Sequence, residues 1–434
     1  MKKLLTSIIT LVFAITVVYA QSQTTSFDVD GIKVIFKPTV KEIINVRMFY
    51  RGGVSNYPVR QAGIESFALH AATECGTRKY NGNEFKDKAD KFDVLVGASA
   101  TYDYSDIGME CISKYFNEGW DLFAEAVVNP VFDQNEIELL RNKLIGKIRS
   151  EETDPDKRSD QLIIKNAFEG TLYATDPDGS EDEISKLSAT ELRLYYHNLL
   201  NKNRMFIVVA GKISKEELIA KIKASFAGLP SKPYIPAAYS EPVWNDYKVL
   251  IEGRDLSTNY INAIMNAPPV SSPDYVPFRV GISALAGSLY SELRTRLNLS
   301  YDPGANSVML QMPYALMYIS TTSPKEAIQD MVGELNIVKH NNLTNSGLKH
   351  LKSSYITSNY IKQQSSSAIT ESLGQAEILG SWEISDRLPE LIDKVTVEQI
   401  KTVMNKYISG LRWSYLGNIN QANDAATAFK TEVR

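Results

Sequence analysis

The hydrophobic positions of the chain form the same order of elements twice. Strand-like stretches open the first half at residues 31–37 and 44–50, followed by a helical pattern at 60–75. Two more strands, several helices and a last strand complete this half, and the second half repeats the order. In the second half the strand patterns lie at 247–252, 260–266, 306–312, 315–321 and 412–416, with a long helix from residue 273. Grouped strands and grouped helices predict an α+β fold of two homologous halves, each a mostly antiparallel sheet covered by helices.

A proline-rich segment separates the two halves. Pro230, Pro233, Pro236 and Pro242 are spaced too closely for the interior of a helix or a central strand. We therefore expect a linker at 231–242, between an N-terminal domain at 25–230 and a C-terminal domain at 243–434.

The first twenty residues form a separate signal. Lys2 and Lys3 precede an apolar run that ends with the small residue Ala20. This pattern predicts a signal peptide at residues 1–20, and so a protein secreted across the inner membrane into the periplasm. A membrane anchor is the less favoured alternative, because small hydroxyl residues interrupt the apolar run.

Composition excludes several classes of function. A net charge of −4 with mixed signs favours neither a nucleic-acid partner nor a membrane surface. Cys75 and Cys111 are the only cysteines, too few for a disulfide scaffold or a cysteine-type zinc site. They either pair with each other in an oxidising compartment or remain as two buried thiols.

The helix predicted at 60–75 has a clear core face. Ile64, Phe67, Ala68, Ala71 and Cys75 fall on one stripe at helical spacing. The neighbouring face carries the candidate chemistry of this half, a serine, a leucine and a histidine.

That neighbouring face, Ser66, Leu69 and His70, resembles the zinc helix of the pitrilysin/insulinase family of metallopeptidases. The family motif is His-x-x-Glu-His, and here the first histidine is Ser66, the general-base glutamate is Leu69 and only the second histidine remains, as His70. The family's third ligand falls on Gly146 or, with a shift of one residue, on Lys147. A catalytic zinc needs three protein ligands and a carboxylate base, so we expect no metal and no cofactor in this chain.

A second resemblance lies in the other half. In Gly287–Tyr301 a helix carries Arg294, and Tyr301 follows seven residues later. This spacing is similar to the family's C-terminal signature, whose arginine and tyrosine hold the substrate backbone and stabilise the oxyanion. Guanidinium and phenol groups both donate hydrogen bonds to developing negative charge, which suits that role. Arg296 has the wrong spacing to Tyr301 for it.

The resemblance implies a division of labour. A chain with the Arg–Tyr pair but without the zinc motif resembles the non-zinc subunit of a heterodimeric peptidase, of the processing-peptidase alpha type. The expected partner is a homologous subunit with an intact motif and its zinc, and the two would form a clam-like chamber for unfolded peptides. A homodimer, a catalytically inactive scaffold and a stand-alone peptide-binding protein remain alternatives.

Overall fold

A computed structural model describes residues 23–240, 242–340 and 343–434, so the expected signal peptide lies outside the described residues. The first half runs through β1 (Thr25–Val29), β2 (Ile32–Pro38), β3 (Ile43–Arg51), α1 (Ile64–Glu74), α2 (Gly82–Lys91), β4 (Leu95–Ala100), β5 (Tyr104–Ile112), α3 (Phe116–Val128), α4 (Gln134–Thr153), α5 (Pro155–Ala167), α6 (Glu181–Ile184), α7 (Ala189–Leu199), β6 (Met205–Gly211) and α8 (Lys215–Phe226).

The second half has corresponding elements. They are β7 (Tyr247–Gly253), β8 (Asn259–Asn266), α9 (Tyr275–Leu289), β9 (Gly304–Val308), β10 (Tyr314–Thr321), α10 (Pro324–His340), α11 (Asn345–Lys362), α12 (Ser366–Ile378), α13 (Trp382–Asp386), α14 (Leu388–Asp393), α15 (Val397–Tyr407), β11 (Leu411–Gly417) and α16 (Ile419–Asp424).

The two sheets share one topology. The first has the order β1-β2-β6-β3-β5-β4 and the second the order β7-β11-β8-β10-β9. In the first sheet β6 lies between β2 and β3 and runs parallel to β2. In the second sheet β11 lies between β7 and β8 and runs parallel to β7. All other pairs are antiparallel. The predicted α+β fold of two similar, mostly antiparallel halves is confirmed.

One helix of each half covers the sheet of the other half. Helix α5 of the first half packs on β11 and β8. The Asn166 amide donates to the Trp413 carbonyl at 2.8 Å, and the Asn262 amide donates to the Ser159 hydroxyl at 3.1 Å. These side chains satisfy polar groups that are buried between helix and sheet.

Helix α12 of the second half makes the reciprocal contact with β3 and β6. Gly374 brings the helix close to the sheet, because a Cβ atom there would lie 2.1 Å from the Phe49 ring. At the C-terminal end of α12, the buried carboxylate of Glu377 accepts from Lys33 and Arg51, at 2.8 Å each. Sequence periodicity shows that these helices are amphipathic but not that each covers the sheet of the other half.

Two sequence predictions need correction. The strand expected at 306–312 is β9, which ends at Val308. Beyond it the backbone leaves the sheet, because the Gln311 N–H donates to Asp103 at 2.7 Å and the Met312 N–H to the Tyr173 hydroxyl at 3.2 Å. Strand β1 was not predicted at all.

Cys75 and Cys111 are both buried and unpaired, so of the two alternatives the free thiols are correct.

Candidate functional site

The residues at the zinc-motif positions of α1 are mostly buried. Ser66 is 3% exposed and Leu69 fully buried in the core of the first half. His70 points towards the surface, with 24% of its side chain exposed. Leu69 therefore packs as a core residue at the position where the family has its general base.

An ion pair lies beside Ser66. The Ser66 hydroxyl donates to one oxygen of Asp178 at 2.7 Å, and the Lys147 ammonium group binds the other oxygen at 2.7 Å. Burial acts to raise the pKa of Asp178, but the hydrogen bonds from Lys147 and Ser66 outweigh it and hold that pKa below its usual value. The Lys147 pKa is raised: burial lowers it, and the contact with Asp178 more than compensates. Lys147 is therefore a protonated cation and cannot act as a base for Ser66.

His70 belongs to a neighbouring group of charges. Its Nδ1 lies 3.2 Å from a carboxylate oxygen of Glu74, and Lys143 pairs with the other oxygen. Burial opposes the ionisation of Glu74, but His70 and Lys143 together keep its pKa below the usual value. The histidine thus has a structural hydrogen-bond partner one helical turn away.

These residues do not fit a catalytic zinc. At the four motif positions the chain offers one imidazole, one hydroxyl, an alkyl group and Gly146, beside which there is open space. In the described ranges 23–240, 242–340 and 343–434, no three His, Cys, Asp or Glu side chains come together as a metal site requires. The cation at this place is the Lys147 ammonium group.

The Arg–Tyr pair of the second half does come together. The Arg294 guanidinium lies over the Tyr301 ring, 4.0 Å from its centroid, and donates to the Tyr301 carbonyl at 2.7 Å. Tyr290 flanks the guanidinium on another side at 4.9 Å. Tyr301 is 78% exposed, so its hydroxyl is accessible. Arg296 instead pairs with Glu292 on the same helix.

A local change of helix type positions Arg294. Helix α9 continues into a π-helical segment, Tyr290–Arg296, and the Leu297 N–H bonds to the Glu292 carbonyl at 2.9 Å. A π-helical turn widens a helix and is common at functional sites. Asn298 follows with a φ of 54° and reverses the chain, which brings Tyr301 back to Arg294.

The sequence prediction missed the partners of the degenerate site. Asp178 lies in the loop before α6, far from α1 in the sequence, and only the folded chain places it against Ser66. The signal available was the loop Thr175–Gly179, in which two aspartates flank a proline.

Comparison with known protein families identifies a similar domain. Residues 186–359 match the family model of the peptidase M16 inactive domain. This part of the chain is therefore similar to that domain, and the predicted resemblance to the pitrilysin/insulinase family is confirmed.

Individual relatives are distant. The non-peptidase homolog YmxG of Helicobacter pylori is 20% identical over 58% of this chain and 59% of its own length. The mitochondrial cytochrome b-c1 complex subunit 1 of Bos taurus is 22% identical over 48% of this chain and 43% of its own length. The chain therefore spans about half the length of the curated relatives it matches.

Solved structures share the fold over most of the chain. A protease from Helicobacter pylori has a TM-score of 0.83 at 17% identity, covering 92% of this chain and 100% of that one. The first half of the periplasmic protease PqqL from Escherichia coli has a TM-score of 0.76 at 18% identity, covering 94% and 95%. Among the residues described here, no helix has the length and apolar character needed to cross a membrane.

Proposed function

We propose that this chain is the non-zinc subunit of a heterodimeric metallopeptidase and supplies Arg294 and Tyr301 to the active site of a zinc-bearing partner. The observation that carries the proposal is the Arg294–Tyr301 pair, which is preformed by stacking and by a hydrogen bond. Preorganised donors of this kind stabilise an oxyanion without reorganisation during the reaction.

The accessibility of the pair supports action on something outside the chain. Tyr301 is 78% exposed and contributes little to the core, so packing alone gives no reason for a tyrosine there. The guanidinium of Arg294 has donors beyond the one that binds the Tyr301 carbonyl. Both groups can therefore turn towards a substrate bound across an interface.

The first half supports the other part of the proposal. Its motif positions lie beside the Ser66–Asp178–Lys147 cluster, whose single carboxylate is already bound by Ser66 and Lys147, so the cluster offers neither three metal ligands nor a free base. Zinc is therefore assigned to a homologous partner with an intact His-x-x-Glu-His motif. The family resemblance supports unfolded peptides as substrates, held in a chamber between the two subunits, and the signal-peptide pattern of residues 1–20 supports a periplasmic location.

The proposal is tested by reconstituting this chain with an exported homologue that has the intact motif. The mixture should cleave a peptide that this chain alone leaves intact. Tyr301→Phe removes one hydroxyl donor and should lower kcat of the mixture by about 10²–10³-fold. Arg294→Ala should lower it at least as much, because a charged donor is lost.

Matched controls lie next to each residue. Tyr290→Phe changes the other tyrosine beside Arg294, and Arg296→Ala removes the neighbouring arginine that pairs with Glu292. Both control mixtures should keep nearly full activity. If Tyr301→Phe and Arg294→Ala are as active as the controls while the complex still forms, the catalytic role is wrong.

A scaffold or peptide-binding role is the second candidate. The observation that favours it is the likeness to a cytochrome b-c1 complex subunit and to a protein named a non-peptidase homolog. Such a role predicts a stable assembly, with the partner or as a homodimer, whose properties do not change in either variant of the Arg–Tyr pair.

A further inference from the structure

We infer that a cavity in the second half binds a small zwitterionic ligand, an amino acid or dipeptide with an apolar side chain. The cavity has a volume of about 360 Å³ and lies between α9, α11, α12 and the α13–α14 segment. Ligand pockets begin at about 300 Å³, so this one fits a molecule of dipeptide size. The inference does not rest on the proposed function, because it is argued from lining residues of this chain.

A cation without an acidic partner lines the cavity. The Arg279 guanidinium is half-buried and donates to the Tyr275 hydroxyl at 3.0 Å. It also lies 5.3 Å from the centroid of the Tyr355 ring. Within the described part of the chain, no carboxylate forms an ion pair with Arg279. Besides the two tyrosines it contacts the Met309 sulfur at 3.6 Å, a weak acceptor, so the half-buried guanidinium has donors left for a carboxylate from outside.

A second polar group in the wall lacks a partner. The side-chain Nδ2 of Asn359 is buried and donates to no other group among the described residues. A buried donor without an acceptor is costly, and a bound ligand with an acceptor oxygen would satisfy it. Arg279 and Asn359 together therefore indicate a carboxylate or carbonyl in the ligand.

The mouth of the cavity carries charges of both signs. Lys362 and Glu371 are exposed, line the cavity and form no ion pair with a described residue. Glu371 would repel a simple anion and attract an ammonium group. Apolar side chains form much of the remaining wall, including Val270, Met309, Ile384 and Leu388. One cationic side, one anionic side and an apolar wall together match a zwitterion with an apolar side chain.

The position of the cavity in the fold supports a binding role. In the order of elements, α9 corresponds to α1 and α11 to α4. The cavity therefore occupies the place in the second half that the Ser66–Asp178–Lys147 cluster occupies in the first. In the first half an ion pair fills this place, whereas in the second half it is open.

The test measures binding of the dipeptide Leu-Leu to the full chain by isothermal titration calorimetry. We expect one Leu-Leu per chain. N-acetyl-Leu-Leu lacks the ammonium group and Leu-Leu-amide lacks the carboxylate, and each should bind at least about tenfold more weakly. Octanoate, which has a carboxylate and an apolar chain only, should bind as weakly as the acetylated dipeptide.

Variants assign the binding to this cavity. Glu371→Gln should weaken Leu-Leu about tenfold and leave N-acetyl-Leu-Leu unchanged, because only the first has a charge for Glu371. Ser372→Trp should fill the mouth and abolish binding of every probe. Glu398→Gln, an exposed glutamate on α15 outside the cavity, is the control and should bind like the native chain.

Three results would overturn the inference. They are no binding of Leu-Leu at millimolar concentration, equal binding of Leu-Leu and its acetylated form, and normal binding by a correctly folded Ser372→Trp variant. Circular dichroism and thermal unfolding of each variant establish the folding.

Discussion

At the scale of single residues, the first half shows how a lysine and an aspartate occupy a place where the family holds a metal. A divalent cation organises several side chains at once. Here the Lys147 ammonium group provides one positive charge, Asp178 compensates it and Ser66 satisfies the remaining carboxylate oxygen. The site is thus electrostatically complete without an ion.

Lys147→Met tests this view. The pair is partly exposed, with 47% of the Lys147 and 32% of the Asp178 side chain accessible, so solvent screening limits the expected loss of stability to roughly 0.2–1 kcal/mol. Because the pKa of Asp178 is lowered in the folded state, this contribution exists at neutral pH and disappears as pH falls below about 4. Urea unfolding of both proteins between pH 3 and 7 measures it. Lys186→Met, which breaks a more exposed pair with Asp182, is the control.

At this scale the sequence predicted what a side chain cannot do better than which partners it contacts. That Ser66, Leu69 and Gly146 cannot bind zinc follows from their side chains alone. That Lys147 pairs with Asp178 depends on a loop that comes after a further helix, α5, and no local periodicity encodes such a contact. For the same reason the spacing of Arg294 and Tyr301 was readable, but the stacking between them was not.

At the scale of elements, the crossing helices α5 and α12 are the feature that periodicity could not assign. Helices were expected in both regions, without the limits of α5 and with a start at Ser366 for α12, since amphipathic patterns reveal helices. Which sheet each helix covers is decided by long-range packing, and the sequence pattern of a helix is the same on either sheet.

Gly374→Ala tests the close contact of α12 with the first sheet. A Cβ atom there would meet the Phe49 ring at 2.1 Å, so the helix or the ring must move. We expect a loss of about 1–3 kcal/mol in the free energy of unfolding. Gly333→Ala in α10 is the matched control, because nothing lies within 4 Å of its added Cβ. That variant should be neutral or more stable by up to about 1 kcal/mol. Equal stabilities of the two variants would contradict the contact.

A buried carboxylate connects loops of the two halves. Asp103, before β5, accepts from the Tyr173 hydroxyl at 2.5 Å and from the Gln311 N–H of the second half at 2.7 Å. Burial raises its pKa to about 6, although the two hydrogen bonds act in the opposite direction. The folded state therefore keeps a proton between about pH 4 and 6 that the unfolded chain releases, so stability from this group falls as pH rises through that window.

Asp103→Asn isolates the effect. The free energy of unfolding of the native chain minus that of the variant should decrease by roughly 1–3 kcal/mol from pH 4 to pH 7. Asp182→Asn, at an exposed aspartate, should show no such trend. A difference that stays constant with pH would mean that Asp103 titrates normally in the folded state.

At the scale of the whole molecule, two features bear on whether each half can fold alone: the repeated strand order, and the packing of α5 and α12 on the sheet of the opposite half. Matching strand orders indicate two copies of one unit. The helix packing means that neither copy is complete alone, since Ile35, Phe49 and Phe206 of the first sheet pack in the core cluster of the second half. A half expressed alone would expose this apolar face to water.

The linker at 231–242 provides the test of that dependence. Its described residues are mostly exposed and lie outside helices and strands, so a protease should cut there first. We expect the cut chain to separate into two fragments on a denaturing gel but to elute as one particle in size-exclusion chromatography, because α5 and α12 each remain on the opposite sheet. Separately expressed segments 23–230 and 243–434 should be insoluble or unfolded alone and should fold when produced together. Two fragments that elute apart as folded monomers would show that the buried contacts between α5, α12 and the opposite sheets are too weak to hold the halves together.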